Sequence, residues 1–222
     1  GGYYGMTMCG TTGDPIRNTF RGNIVRNAYY YGIYLTQTLG AVIEHNEITN
    51  PTRTNPSTFY AVYLTTGASS SKINANIIRN LYGGNPASTG SQYMFYATAA
   101  SPGNVPSVYS NNVVYNINGA GQIYVFYNSG ASNSHYLHNT VILDNVNNAS
   151  ANAARPFYQA ATAEGLQVMN NIFKLTRTGS ATNHAIYIGA TTTNFVSNNN
   201  NIILGTGSSV GYYNFTNYPT YD

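Results

Sequence analysis

Two short motifs alternate along the whole chain, and their alternation limits what it can fold into. The first is a small or apolar residue, an apolar residue, Tyr and often another apolar residue. It occurs as "GIYL" at 32, "AVYL" at 61, "MFYA" at 94, "QIYV" at 122, "PFY" at 156, "AIYI" at 185 and "GYY" at 211, with "GMTM" at 5 as an earlier, truncated copy. The second places apolar residues three before and two after an Asn. It reads "FRGNIV" at Asn23, "IEHNEI" at Asn46, "INANII" at Asn76, "VYSNNV" at Asn111, "YLHNTV" at Asn139 and "VMNNIF" at Asn171. A seventh copy, "VSNNNNIIL", puts Asn199 after Val196 but delays the following apolar pair, which predicts one or two inserted residues. Successive template Asn positions are 23, 30, 35, 28, 32 and 28 residues apart.

A period of this size marks a solenoid or other stacked-repeat architecture, because one such unit cannot bury its apolar face alone. Each motif reads as a strand: short, rich in Ile, Val and Tyr, alternating with period two and bounded by Gly, Pro, Asn and Ser. No window keeps a helical period. Stacking equivalent strands about 4.8 Å apart predicts an inward column of Ile33, Val62, Phe95, Ile123, Phe157 and Ile186. A second inward column comprises Ile43, Ile73, Val108 and Val168. The template Asn belongs at a tight bend, since Asn tolerates left-handed dihedrals and hydrogen-bonds locally. Stacked carboxamides can then bond to one another in a ladder. The expected structural Asn turns are Asn23, Asn46, Asn76, Asn111, Asn139, Asn171 and Asn199.

The order "GIYL … VIEHNEITN" resembles the right-handed parallel β-helix repeat of the pectate-lyase-like superfamily, and the likeness spans nearly the whole chain. It implies an all-β, right-handed parallel β-helix of about seven coils. In each coil "GIYL" is the first strand, "AVIEH" the second, Asn46 the turn and "EIT" the third. The closing run "NNNNIILGTGSSVGYYNFTNYPTYD" also looks like the later coils of large secreted bacterial surface proteins. That superfamily holds lyases, glycosidases, epimerases, tailspikes and adhesins, so fold alone selects no function. Residues 1–222 read as a single domain, expected to be a piece of a longer chain whose targeting segments lie elsewhere. Neither end shows a cap, so the outermost strand edges are expected to pair with flanking coils or with another copy, end to end.

Only 7% of residues are charged while 42% are hydrophobic, a composition with a neutral hydrogen-bonding surface that points to an extracellular or cell-surface location. The formal charge of +3 is scattered, and nucleic-acid binding needs clustered cations, so no nucleic-acid partner is expected. Cys9 is the only cysteine, which excludes an internal disulfide and a cysteine zinc site. No apolar run reaches membrane-spanning length.

Catalytic patterns are missing. Glycoside hydrolysis needs two carboxyls facing one cleft, and the acids are Asp14, Glu44, Glu47, Asp144, Glu164 and Asp222. Only Glu44 and Glu47 are close, and the Asn46 bend should turn them to different faces. Arg53, Lys72 and Arg79 can sit near one another on neighbouring coils but read as surface charges. His135 and His138 have the one metal-like spacing among the histidines, yet His138 sits beside the Asn139 bend. No catalytic residue, metal site or cofactor is assigned.

Alternation leaves one feature for function. With Ile33 and Leu35 inward, Tyr34 faces out, and the same parity exposes Tyr63, Tyr96, Tyr124, Tyr158, Tyr187 and Tyr213. Stacked, they form a tyrosine column whose role is either packing or contact with glycans or other protein chains. The leading expectation is a non-catalytic extracellular structural or adhesive module that contacts polysaccharide or protein and can form filaments. The alternative is a polysaccharide lyase or glycoside hydrolase with its catalytic residues on the long loops at 50–60, 80–93 and 145–156, or outside this segment.

Overall fold

A computed structural model describes residues 2–11, 17–146 and 151–220. Asp14, Asp222 and positions 147–150 of the 145–156 loop lie outside the described residues. The elements are all strands, and they form a parallel β-solenoid of about seven coils. One coil runs Tyr31–Thr36, Val42–Glu44, then Glu47–Thr49, as the motif order predicts. Equivalent strands of successive coils pair in parallel and build three long sheets and, among the described residues, a two-stranded one of Ala163–Glu164 with Thr192–Thr193. The sheet of "GIYL"-type strands is the widest, and a strand on either side of the Asn turn contributes to the other two long sheets.

Side chains of like kind stack inside. One column runs Ile33, Val62, Phe95, Phe126, Phe157, Ile186. Phe126 holds the place expected for Ile123, which instead aligns with Gln92. The strand Ile123–Ser129 contains two overlapping motif matches, "QIYV" and "VFYN", and the second is in register. Facing this column are Ile43, Ile73, Tyr109, Tyr136 and Val168. Tyr109, not Val108, points inward there, and it stacks on Tyr136 with ring centroids 4.8 Å apart.

The same one-residue shift corrects the Asn ladder. Its members are Asn23, Asn46, Asn76, Asn112, Asn139, Asn171 and Asn200, spaced 23, 30, 36, 27, 32 and 29 residues apart. Asn111 and Asn199 lie in the turn but immediately before the ladder position, where the backbone is left-handed. That position is filled by His45 (φ 55°), Ala75 (φ 53°), Asn111 (φ 54°), His138 (φ 56°), Asn170 (φ 57°) and Asn199 (φ 54°). The left-handed residue and the ladder Asn are therefore neighbours with separate tasks. No residue is inserted in the last coil: Ser197 takes the inward place in register with Val168, and Ile202 pairs with Phe173.

Thr216–Tyr218 turns back antiparallel on Ser208–Tyr213, adding a reversed strand to the widest sheet. That strand is in turn the outermost of the sheet, and its residues are exposed.

Candidate functional site

Along the widest sheet each strand departs from simple alternation. Burial of Phe59–Leu64 runs in, out, in, in, out, in, and Gln92–Ala97 repeats that pattern. The register skips the residue between the two outward positions: Tyr60 pairs with Tyr93 and Val62 with Phe95, while Ala61 and Met94 are unpaired in the ladder. Gly32 and Ala61 are skipped in the same way between neighbouring coils, as are Val125 and Pro156. Pro156 lacks an N–H to donate and suits such a place. This local break brings residues three apart onto one face.

The face therefore carries two tyrosine columns. The inferred column is Tyr34, Tyr63, Tyr96, Tyr127, Tyr158, Tyr187 and Tyr212. Tyr127 and Tyr212 stand where the parity argument placed Tyr124 and Tyr213. Tyr213 lies beyond the column, half exposed, against the returning strand. Beside it runs a column that the parity argument missed: Tyr4, Tyr31, Tyr60, Tyr93 and Tyr124, continued by Arg155. A recurring Tyr-x-x-Tyr spacing, at 31/34, 60/63, 93/96 and 124/127, is its sequence signature.

The two columns differ in ring geometry. In the second, rings lie nearly parallel: Tyr4 on Tyr31 at 11°, Tyr60 on Tyr93 at 8° and Tyr93 on Tyr124 at 19°. Their faces are occupied by one another, a favourable offset arrangement. In the first, tilted and stacked pairs mix: Tyr34 and Tyr63 meet at 83°, Tyr63 and Tyr96 at 73°, Tyr127 and Tyr158 at 59° and Tyr158 and Tyr187 at 57°, whereas Tyr96 on Tyr127 at 13° and Tyr187 on Tyr212 at 5° are stacked. At the tilted pairs the ring faces are only partly covered by one another, and the column's tyrosines are partly buried. Burial raises the pKa of many of these phenols, Tyr93 to about 12, so they remain neutral hydroxyls near pH 7.

Arg155 is the one formal charge in either column. Its guanidinium lies 4.0 Å from the Tyr187 ring centre and 4.9 Å from that of Tyr158, and Nη1 donates to the Tyr124 hydroxyl at 3.4 Å. Nearby, His184 bonds through Nε2 to Asn217 Oδ1 at 2.9 Å. Burial, with Arg155 adding to it and the Asn217 bond opposing, lowers the His184 pKa below its ordinary value of 6.5.

The other charged candidates do not gather. Glu44 pairs with Arg21 at 3.5 Å and Glu47 with Arg79 at 2.8 Å, on two different sheets. Lys72 lies in the sheet before the Asn turn, and Arg53 covers the Tyr29 ring at 4.4 Å, so Arg53, Lys72 and Arg79 form no cluster. His138 occupies the left-handed turn position and His135 is a half-buried strand residue. Among the described residues no group of His, Cys, Asp or Glu could hold a metal ion, and no helix is long and apolar enough to cross a membrane. No family model, curated protein or solved structure matches the chain.

Proposed function

We propose that this chain is a non-catalytic binding module of an extracellular or cell-surface protein, and that its tyrosine face holds a linear glycan along the solenoid axis. The observation that carries the reading is the pair of uninterrupted tyrosine columns side by side on one sheet. Large exposed aromatic patches mark interaction sites. Here the second column is stacked ring on ring and the first, beside it, offers partly open rings at its tilted pairs. Phenol edges and hydroxyls repeat at each coil, about every 4.8 Å, so a chain of sugars laid along the axis meets similar apolar and hydrogen-bonding groups at each step. The neutral, Asn- and Thr-rich surface supports the extracellular placement. Glu44 and Glu47, the closest acid pair in sequence, are each engaged by an arginine, which favours binding over glycoside hydrolysis.

The test is a triple variant, Tyr96→Ser, Tyr127→Ser and Tyr158→Ser, in the middle of the first column. Retention on a panel of immobilised neutral and acidic polysaccharides should fall at least about tenfold, because central aromatic anchors dominate such contacts. Unchanged retention, or a parent protein that retains no glycan, refutes the reading. Loss of self-association without any glycan retention would instead assign the face to contacts between protein chains.

A further inference from the structure

We propose that the C-terminal end of the tyrosine face carries a subsite for an anionic substituent, a carboxylate or sulfate, on a sugar ring, with Arg155 as its recognition residue. The inference rests on the glycan-binding reading and names the charge of one bound unit.

Its starting point is a substitution within a column. Tyr93 aligns with Tyr124, and Tyr124 aligns with Arg155, so a planar cation replaces the next planar ring. Stacking on Tyr187 and Tyr158 fixes the guanidinium plane while leaving its edge as the hydrogen-bonding side. Among the described residues the ion pairs are Arg21–Glu44, Arg79–Glu47 and Lys174–Asp144, and none involves Arg155. Among the described residues its side-chain hydrogen bonding is confined to the long contact with Tyr124; Nε is buried and makes none, so the terminal nitrogens supply the fork.

A groove of about 490 Å³ opens beside this cation, lined by Gln122, Asn152, Thr182, His184, Tyr187 and Asn217 among others. Its walls are held in place. Arg177, almost fully buried, donates to the carbonyls of Gly119 and Gly121 at 3.0 and 3.1 Å and to that of Asn152 at 3.1 Å. On the opposite side the returning strand brings Asn217 to His184. The groove thus combines one planar cation, neutral amides and a hydroxyl, with an aromatic floor at Tyr187 and Tyr212. That set suits a sugar ring bearing an oxyanion, which a planar fork binds through two parallel bonds. Among the described residues no carboxylate lines the groove to repel it.

The test uses three monosaccharide probes, glucuronate and glucose 6-sulfate, each paired with their shared neutral counterpart glucose, together with a uronate oligosaccharide and its neutral methyl ester. Binding is followed by titration calorimetry and by NMR of the arginine side-chain N–H signals. The parent protein should favour the charged member of each pair by about tenfold. R155Q should reduce that ratio to about one, and R155K, which keeps the charge and loses the fork, should fall between. The uronate and sulfate arms tell which oxyanion the subsite takes. A ratio near one in the parent, or a charged preference that survives in R155Q, overturns the subsite. Arginine-dependent binding of the charged monosaccharides upholds it even where long neutral glycans are not retained, an outcome that would refute the wider glycan-face reading alone.

Discussion

Asn76 donates both its backbone N–H and its Nδ2–H to the same oxygen, Oδ1 of Asn112, each at 3.0 Å. The remaining Nδ2 hydrogen turns back to the carbonyl of Ile43 at 2.8 Å, and the Asn76 oxygen accepts from Asn46. Every polar atom of this fully buried carboxamide is thus used, and the arrangement repeats coil after coil with one polarity. Burying a carboxamide costs free energy unless its groups are satisfied in this way.

The ladder and its neighbouring turn position predict opposite signs for adjacent substitutions. Asn76→Ala leaves donors and acceptors unpaired on two coils and should cost about 1–3 kcal/mol. Ala75→Gly relieves a left-handed backbone at a non-glycine residue and should gain up to about 1 kcal/mol. Urea unfolding of the two variants provides the comparison; equal effects would mean that the two positions do not divide the work.

Asn111→Ala and Asn112→Ala extend the comparison to one turn where sequence alone favours the first. Asn111 is exposed and bonds through its side chain to Asn74 at 2.9 Å, whereas Asn112 is buried in the ladder. The Asn112 variant should lose about 1–3 kcal/mol and the Asn111 variant less than about 1 kcal/mol. Matching midpoints for the two would contradict the ladder register.

The phenols predict alkaline behaviour. Burial comes first among the causes that raise Tyr93 to about 12 and Tyr60 and Tyr31 higher still, with neighbouring tyrosines adding to it. An unfolded chain loses these protons near pH 10 while the folded one keeps them, so the unfolded state binds fewer protons there. Stability should therefore be intact below pH 10 and fall as pH rises beyond it. Absorbance titration at 295 nm should show a delayed class of tyrosines in the folded protein, and a single transition near 10 would contradict the packed columns.

Acid acts through His135 and His184, whose pKa values burial lowers. Around His184 the facing groups are Arg155, Asn217 and the rings of Tyr187 and Tyr212. Below the ordinary value of 6.5 the unfolded chain takes up protons that the folded histidines still refuse. Stability should fall as pH drops through that value and level off once the folded groups are also protonated. Thermal melts from pH 8 to pH 5 should show this slope in the parent and a smaller one in His184→Gln.

The sequence by itself determined the architecture. A recurring pair of strand motifs, no helical period and an Asn between two strands leave stacked parallel coils as the way to bury Ile33, Val62 and Phe95 together. Those are short-range patterns repeated many times, and repetition makes them legible. Two kinds of detail depended on the third dimension. At "SNN" and "NNNN" several asparagines satisfy the same local template, and only the pairing of Tyr109 with Ile73 and of Ser197 with Val168 selects Asn112 and Asn200. On the widest sheet, strict alternation would send Tyr31 inward with Ile33 and Leu35. The unpaired position at Gly32, repeated at Ala61, Met94, Val125 and Pro156, breaks the strand's period and turns Tyr31, Tyr60, Tyr93, Tyr124 and Arg155 outward. Alternation holds only while the backbone stays regular, and that break arises from how each coil seats on the next. The groove at Arg155 is tertiary for the same reason: residues near 120, 155, 184 and 217 meet there because whole coils lie between them in sequence and almost none in space.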